Sequence, residues 1–184
     1  EREQALGFLD QLGELLVAAE DDVLLLEVGG EVLKQTLREL RIINRLLGGN
    51  HVTTSGLKIL LKGDKKRKYT IADVGCGGGD MLRVMADWAS KNGYDCQFIG
   101  IDANDHTIGM AKENLKNYLN VSFLTKNVFD QEFERIKVDV FTCTLFTHHF
   151  TDEELIMLTR VFNKGASLGL VINDLHRHPL AYYS

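Results

Sequence analysis

The chain has 184 residues, of which 26 are Asp or Glu and 21 are Lys or Arg, so its formal net charge is −5. Its 45% share of hydrophobic residues and 26% share of charged residues are ordinary for a globular domain. This composition excludes a disordered chain, a collagen-like repeat and a disulfide-dense scaffold. The acidic excess argues against a generally basic nucleic-acid-binding protein. No apolar run approaches the ~20 residues that a bilayer-spanning helix needs.

The cysteines indicate a reducing compartment. Cys76, Cys96 and Cys143 lie in apolar stretches, without the spacing of a metal site. An odd number of such thiols is typical of proteins that keep their cysteines reduced. The first residues also lack the pattern of a secretory signal peptide. We therefore expect a cytoplasmic protein of about one domain that binds no metal.

The first part of the chain, residues 1–68, is predicted to be a helical cap region. Apolar residues recur there at helical spacing, and Gly48 and Gly49 are expected to end the clearest helix. A further short helix is predicted over Thr53–Leu61. The residues that define these patterns are Leu9, Leu12 and Leu16, then Leu33, Leu37, Leu40, Asn44 and Leu47.

From residue 69 to residue 184 the pattern changes to strands that alternate with helices. The predicted strands are Tyr69–Val74, Gln97–Ile101, Val121–Leu124, Val138–Cys143 and Leu168–Ile172. Helices are predicted after the first strand, over Asp105–Tyr118, and from a capping box at Thr151 and Glu154 to about Gly165. This alternation predicts an α/β fold with a doubly wound, mostly parallel, Rossmann-like sheet. Such a sheet binds its ligand beyond the carboxyl ends of its strands.

A glycine-rich loop follows the first predicted strand, with Gly75 and Gly77 after Asp73. Glycines there permit a tight turn and close approach of a ligand to the backbone, although a plain turn remains an alternative. The dinucleotide fingerprint requires a third glycine at position 80, where this chain has Asp80. A carboxylate at that point disfavours a pyrophosphate and so argues against NAD or FAD.

Polar residues also follow the second and third predicted strands. Asp102 could accept hydrogen bonds from both hydroxyls of a ribose, or it could cap the next helix. Asn127 and the amide of Val128, with Asp130 nearby, could read the edge of an adenine or could form an ordinary polar loop. The loop, the ribose acid and the adenine candidates occur in the right order at successive strand ends, which favours a nucleoside-type cofactor.

These residues carry a family resemblance. The segment from Asp73 to Gly79, then Asp102, then Val138–Phe141 leading to His148-His149-Phe150, resembles the class I S-adenosylmethionine-dependent methyltransferases. Within that superfamily it is most similar to the small-molecule type related to the ubiquinone and menaquinone C-methyltransferases. The resemblance covers roughly residues 69–174. It implies S-adenosylmethionine as the cofactor and a small molecule as the methyl acceptor.

The resemblance also implies roles for individual residues. Gly75, Cys76, Gly77 and neighbouring backbone would hold the methionine part, Asp73 would support the loop, and Asp102 would bind the ribose. Ala103, Asn127 and Val128 would surround the adenine, with Asn127 standing where the family usually has Asp. Thr144 and Leu145 would flank the methionine end, and Arg45 or Arg41 would pair with the cofactor carboxylate unless these arginines are simply exposed.

Methyl transfer from a sulfonium depends mainly on positioning and on the exclusion of water. A general base is needed only when the acceptor is protonated. His148 and His149 are the candidates because histidine titrates in the useful range. Both could instead merely pack and cap the following helix. His176 and His178, after the fifth predicted strand, could line an acceptor pocket or could lie on the surface.

The family usually has two more strands after the fifth, and we expect them to be missing from a chain that ends at Ser184. A truncated chain is one explanation, and a homodimer that completes the sheet at this edge is another. Three other functions remain open: a cofactor-binding module without catalysis, an NAD-dependent oxidoreductase and an RNA methyltransferase. The acidic composition and the absence of a Tyr-x-x-x-Lys pair disfavour the last two.

Overall fold

A computed structural model describes residues 49–174, and a five-stranded parallel sheet forms its centre. The strands are β1 (Lys68–Val74), β2 (Asp95–Asp102), β3 (Val121–Thr125), β4 (Val138–Thr144) and β5 (Ala166–Asn173). Their spatial order is β3-β2-β1-β4-β5, and every neighbouring pair is parallel. The strand order therefore reverses between β1 and β4, which confirms the predicted doubly wound sheet.

Helices connect the strands. They are α1 (Gly49–Leu61), α2 (Asp80–Asn92), α3 (Asp105–Asn114) and α4 (Asp152–Gly165). Two short 3-10 turns, Phe133–Arg135 and Thr147–His149, flank β4. The capping box predicted at α4 is present, since the Thr151 hydroxyl accepts from the Glu154 amide and the Glu154 carboxylate accepts from the Thr151 amide.

Two predicted boundaries were wrong. Helix α1 begins at Gly49, four residues before its predicted start at Thr53. Gly49 had been expected to end a helix. Helix α3 ends at Asn114, not at Tyr118. The Leu115 amide closes the last turn onto Ala111 O, and the Tyr118 amide turns back to Leu115 O. Apolar spacing in the sequence did not reveal this turn.

The sheet is covered on both faces. One cluster joins α1, α2 and β1, and includes Leu57, Leu61, Ile71 and Met85, each at most 1% exposed. The other lies under α4 and is built around three aromatic rings. Phe141 lies 6.0 Å from Phe133 and 5.1 Å from Phe162, measured between ring centroids. Strand β4 is buried along most of its length, as its mainly apolar sequence predicts.

Some predictions fall outside residues 49–174. These are the helices expected over residues 1–48, the candidates Arg41 and Arg45, and the histidines at 176 and 178. Within residues 49–174, no helix is long and apolar enough to cross a membrane.

Candidate functional site

The glycine-rich loop is fastened to the neighbouring strand. The amides of Gly75 and Cys76 both donate to the carbonyl oxygen of Ile101, at 2.9 and 3.1 Å. Gly75 has φ 70° and Gly77 has φ 52°, a region that costs a residue with a side chain about 1–2 kcal/mol. The glycines therefore let the chain turn sharply between β1 and α2 while its backbone stays against the end of β2.

Asp102 connects the loop to the end of β2. Its Oδ2 accepts from the Gly77 amide at 3.1 Å and its Oδ1 accepts from the Asn104 amide at 3.0 Å. Burial raises the pKa of the Asp102 carboxyl, while backbone hydrogen bonds oppose that rise. Asn104, and not Asp102, caps α3, because the Asn104 side chain accepts from the amides of His106 and Thr107. Each Asp102 oxygen retains acceptor capacity for a ligand hydroxyl.

Asp73 lies beneath the loop, where its side chain is 2% exposed. The Thr142 hydroxyl donates to Asp73 Oδ1 at 2.7 Å and so joins β4 to β1. Burial raises the pKa of Asp73, the bond from Thr142 lowers it and the nearby Asp102 carboxylate raises it, and together they bring it to about 7. Asp73 therefore braces the two strands from below the loop.

Cys76, within the loop, is 6% exposed, and burial raises the pKa of its thiol well above the ordinary value. Its side chain belongs to the apolar core beneath the loop. A thiol in that state is a packing group and a poor nucleophile. What Cys76 can offer a ligand is therefore its backbone.

The adenine candidates come after two neighbouring strands, Ala103 after β2 and Asn127 and Val128 after β3. Ala103 is exposed, whereas the Val128 side chain is 7% exposed and belongs to the core. Asn127 is exposed, and its Oδ1 accepts from the Phe129 amide at 3.0 Å. Its amide donates to Asp130 Oδ2 at 3.2 Å. The side-chain oxygen of Asn127 thus orders its own loop, which is the polar-loop arrangement given above as the alternative.

A small polar cluster lies where β4 and β5 end. Thr53 of α1 is fully buried, with its Oγ1 3.4 Å from Thr144 Oγ1 and 3.1 Å from Asn173 Nδ2, which donates to it. Leu145 follows with φ 51°, and its amide donates to Asn173 O at 2.9 Å. The sequence analysis missed Thr53 and Asn173. The sequence signal for Thr53 was its position one helical turn before Leu57, which places its hydroxyl on the same face of α1 as that apolar residue.

His148 lies in a turn after β4 and is paired with a residue at the end of β5. Its Nδ1 is 2.7 Å from Asp174 Oδ1, and its side chain is 18% exposed. The ring of His149 lies 4.0 Å from that of His148, between centroids. Asp174 was not predicted from the sequence, although it directly follows β5 and Asp102 stands at the corresponding end of β2. Neither histidine lies in α4, which Thr151 caps.

Aromatic rings continue from the glycine loop towards the end of β3. Phe146 packs against Gly75. Between ring centroids, Phe150 lies 5.0 Å from Phe146, and Phe129 lies 5.6 Å from Phe150. Both aromatic pairs meet edge to face, a favourable geometry. These rings give the carboxyl edge of the sheet an apolar border.

The carboxyl edge therefore combines a glycine loop, the carboxylates of Asp102 and Asp174, an imidazole and an apolar border. The loop and Asp102 suit a ligand with a ribose, and the His148–Asp174 pair suits proton transfer. Within residues 49–174, no group of three or more His, Cys, Asp or Glu side chains could hold a metal ion.

Comparison with known proteins gives one family match. The family described as "Methyltransferase domain" matches residues 65–177. That range contains β1 to β5 and every site residue described in this subsection except Thr53. No curated protein matches the chain.

Several solved structures share the fold. DszA carbon methyltransferase has 17% identity and a TM-score of 0.61, over 71% of this chain and 36% of that chain. The S-adenosylmethionine-dependent methyltransferase SibL, in its apo form, has 14% identity and a TM-score of 0.55, over 73% of this chain and 36% of that chain. The plantazolicin methyltransferase BpumL, in complex with a triazolic desmethylPZN analogue and SAH, has 22% identity and a TM-score of 0.50, over 70% of this chain and 43% of that chain. This chain thus spans less than half the length of each.

Proposed function

Because the chain belongs to the methyltransferase-domain family, we propose that it binds S-adenosylmethionine and transfers the methyl group to a small-molecule acceptor. The hydrogen bond between Gly77 and Asp102 carries this proposal, because it joins the loop and the ribose acid into one site. The site fits the cofactor in two respects. The loop backbone is open to close approach at glycines, and the Asp102 oxygens can accept from two hydroxyls.

We propose the following roles for the site residues. Backbone of Gly75, Cys76 and Gly77 holds the methionine part, and Asp73 braces the loop. Asp102 binds the ribose hydroxyls, and Ala103, Asn127 and Val128 surround the adenine. Thr144 and Leu145 flank the methionine end, and Arg45, outside the described residues, pairs with the cofactor carboxylate. His148 and His149 are the candidates for a general base.

An NAD-dependent oxidoreductase is less compatible with this site. The Asp80 carboxylate lies at the first residue of α2, where a dinucleotide site would place its pyrophosphate. Arg83 Nη2 donates to Asp80 Oδ1 at 3.2 Å, so an ion pair lies at the start of α2. A binding module without catalysis would use the same loop and Asp102, and measured methyl transfer separates the two functions.

Three further features belong to the proposal. A cytoplasmic location is supported by three buried free thiols, at Cys76, Cys96 and Cys143. A small-molecule acceptor is supported by the BpumL methyltransferase structure, which holds a triazolic desmethylPZN analogue together with SAH. The acidic net charge disfavours nucleic acid as a partner.

We also propose that residues 1–68 belong with residues 69–184 to one domain. Helix α1, from the predicted cap region, contributes Leu57 and Leu61 to the core beside the sheet. A homodimer at the edge formed by β5 remains part of the proposal, because Ile172 of that strand is 46% exposed.

Thermal unfolding with S-adenosylmethionine, SAH or NAD tests the cofactor. A ligand at 100 times its Kd stabilises by about 2.7 kcal/mol, which raises the midpoint of a domain of this size by roughly 5–10 °C. We expect that rise with the two sulfur ligands and not with NAD. Asp102→Ala should abolish it.

Asp95→Ala is the matched control, because Asp95 is an exposed carboxylate at the opposite end of β2. It should leave the rise unchanged. A rise with NAD alone, or an equal rise in Asp102→Ala, would refute the proposed site.

A further inference from the structure

The His148–Asp174 pair has a defined orientation. The two residues come from different strand ends, His148 after β4 and Asp174 after β5, and Nδ1 and Oδ1 are 2.7 Å apart. The Asp174 side chain is 10% exposed, so this contact is largely shielded from water. A charge-assisted hydrogen bond in such surroundings is stronger than one in solvent.

The second carboxylate oxygen of Asp174 also accepts hydrogen bonds, and these determine the orientation of the carboxylate. Asp174 Oδ2 accepts from the amides of Phe146 and His148, at 3.2 and 3.0 Å, and from the hydroxyl of Thr147. The carboxylate therefore holds the whole turn after β4 by its backbone and holds the imidazole by Nδ1.

The pairing determines which nitrogen of His148 can receive a proton. An ionised carboxylate accepts hydrogen bonds and does not donate them, so Nδ1 carries the hydrogen that points at Asp174. In the neutral imidazole the lone pair then lies on Nε2. The titratable groups that contact this ring include Asp174 from β5 and His149 from the same turn.

We propose that His148 is the general base of methyl transfer and that Asp174 is its positioning residue. The proposal rests on the proposed function and deepens it, because it identifies the kind of acceptor. An acceptor that needs this base carries a proton on its attacking atom, as the hydroxyl of a phenol or an enol does. A thioether or a tertiary amine would need no such group.

The proton and electron changes balance. The bound cofactor would supply the methyl group: the acceptor oxygen would form a bond to the methyl carbon while the carbon–sulfur bond breaks and its electron pair stays on sulfur. The hydroxyl proton passes to Nε2 of His148, which becomes an imidazolium. The Asp174 carboxylate stabilises that cation through Nδ1–H and itself remains ionised. Bulk water then takes the proton from Nε2.

The tautomer of His148 is the direct test, and it does not depend on turnover. We would label the imidazole nitrogens of the full chain with ¹⁵N and record spectra about two pH units above the ordinary histidine pKa of ~6.5. His148→Gln assigns the signal by its disappearance, and His149→Gln is the matched control. We expect His148 with hydrogen on Nδ1 and a lone pair on Nε2. Hydrogen on Nε2 would overturn the proposal.

Asp174→Asn tests positioning, because it keeps the volume of the side chain and removes its charge. We expect the preference for the Nδ1–H tautomer to disappear while the midpoint of thermal unfolding with SAH still rises. If the preference persists, Asp174 does not set the tautomer and the proposal fails. A merely structural Asp174 would lower stability without changing the tautomer.

Addition of SAH separates this proposal from the proposed function. We expect saturating SAH to shift the His148 nitrogen signals, because His148 lies at the edge where the cofactor binds. Normal thermal stabilisation by SAH with unmoved His148 signals would place the imidazole outside the site and refute only the base. No stabilisation by SAH would refute the proposed function, while the tautomer experiment would still report on His148 and Asp174.

Discussion

The ring of Phe146 lies directly against Gly75. A Cβ added to Gly75 would be 2.2 Å from Phe146 Cδ2 and 2.6 Å from Phe146 Cγ, which is far inside van der Waals contact. The turn after β4 and the loop after β1 can therefore pack together only because position 75 has no side chain. Gly75 also has φ 70°, so both the backbone conformation and the contact with Phe146 require glycine at this position.

Gly75→Ala should for this reason be severely destabilising. The left-handed conformation costs about 1–2 kcal/mol, and the displacement of Phe146 adds to that cost. We expect a lower midpoint in urea and loss of stabilisation by SAH. Gly109→Ala is the control, because Gly109 lies within α3 and an added Cβ meets nothing within 4 Å.

Gly109→Ala should stabilise the protein by up to about 1 kcal/mol, since alanine favours a helix over glycine. Equal effects of the two substitutions would contradict the assigned geometry at Gly75.

Asp73 should make folding less favourable as the pH rises from about 4 to about 7. The pKa of the buried carboxyl is raised from 3.8 to about 7, so in this window the unfolded chain has lost the proton that the folded chain keeps. The free energy of unfolding therefore falls across the window, and this contribution is constant below and above it. Asp73→Asn should remove the dependence and gain up to about 4 kcal/mol relative to wild type between pH 4 and pH 7.

Urea titrations of both proteins across that pH range give the measurement. Asp139→Asn is a control of opposite sign. Burial raises the pKa of Asp139, but hydrogen bonds from Ser167, Thr70 and Arg67 outweigh it and leave the pKa lowered. The stability that Asp139 contributes is present above about pH 4 and lost on acidification below it. A difference between Asp73→Asn and wild type that is independent of pH would refute the assignment to Asp73.

Thr53→Val should destabilise the protein by about 1–3 kcal/mol, because valine keeps the shape of threonine but removes its hydroxyl. Asn173 Nδ2 would lose its acceptor at 3.1 Å, and Thr144 Oγ1 would lose its neighbour at 3.4 Å. Thr54→Val is the matched control on the same helix, since the Thr54 hydroxyl bonds only within α1, to Asn50 O and His51 O.

Chemical denaturation of the two variants measures the difference. Because Thr53 contacts Thr144, we also expect Thr53→Val, and not Thr54→Val, to weaken SAH binding in a calorimetric titration. Equal losses of stability in the two variants would show that the buried hydroxyl cluster contributes nothing specific.

Thr151→Ala should cost about 1 kcal/mol by removing the cap of α4. The Thr151 hydroxyl accepts from the Glu154 amide at 3.3 Å, and alanine leaves that amide without this acceptor. Thr159→Ala, in the middle of the same helix, removes a hydroxyl that bonds to Leu155 O. That control should be neutral or stabilising, because alanine has the higher helix propensity. Circular dichroism during thermal unfolding distinguishes the two results.

The sequence by itself determined the alternation of strands and helices. Apolar runs and the capping box at Thr151 and Glu154 are local signals, because they depend on neighbours within a few residues. The doubly wound sheet followed from that alternation. The positions of Gly75 and Asp102 after successive strands also indicated a common site. Local signals failed at α3, where a turn at Leu115 ended the helix early.

Only the tertiary structure decided how distant residues pair across the sheet. Thr53 meets Asn173 over 120 positions of the chain, Asp73 meets Thr142 over 69, and His148 meets Asp174 over 26. Each pairing depends on strand order and on the register of β1 against β4 and of β4 against β5. A histidine in the sequence could equally cap a helix or accept a proton, and only the fold shows that a carboxylate lies beside its Nδ1.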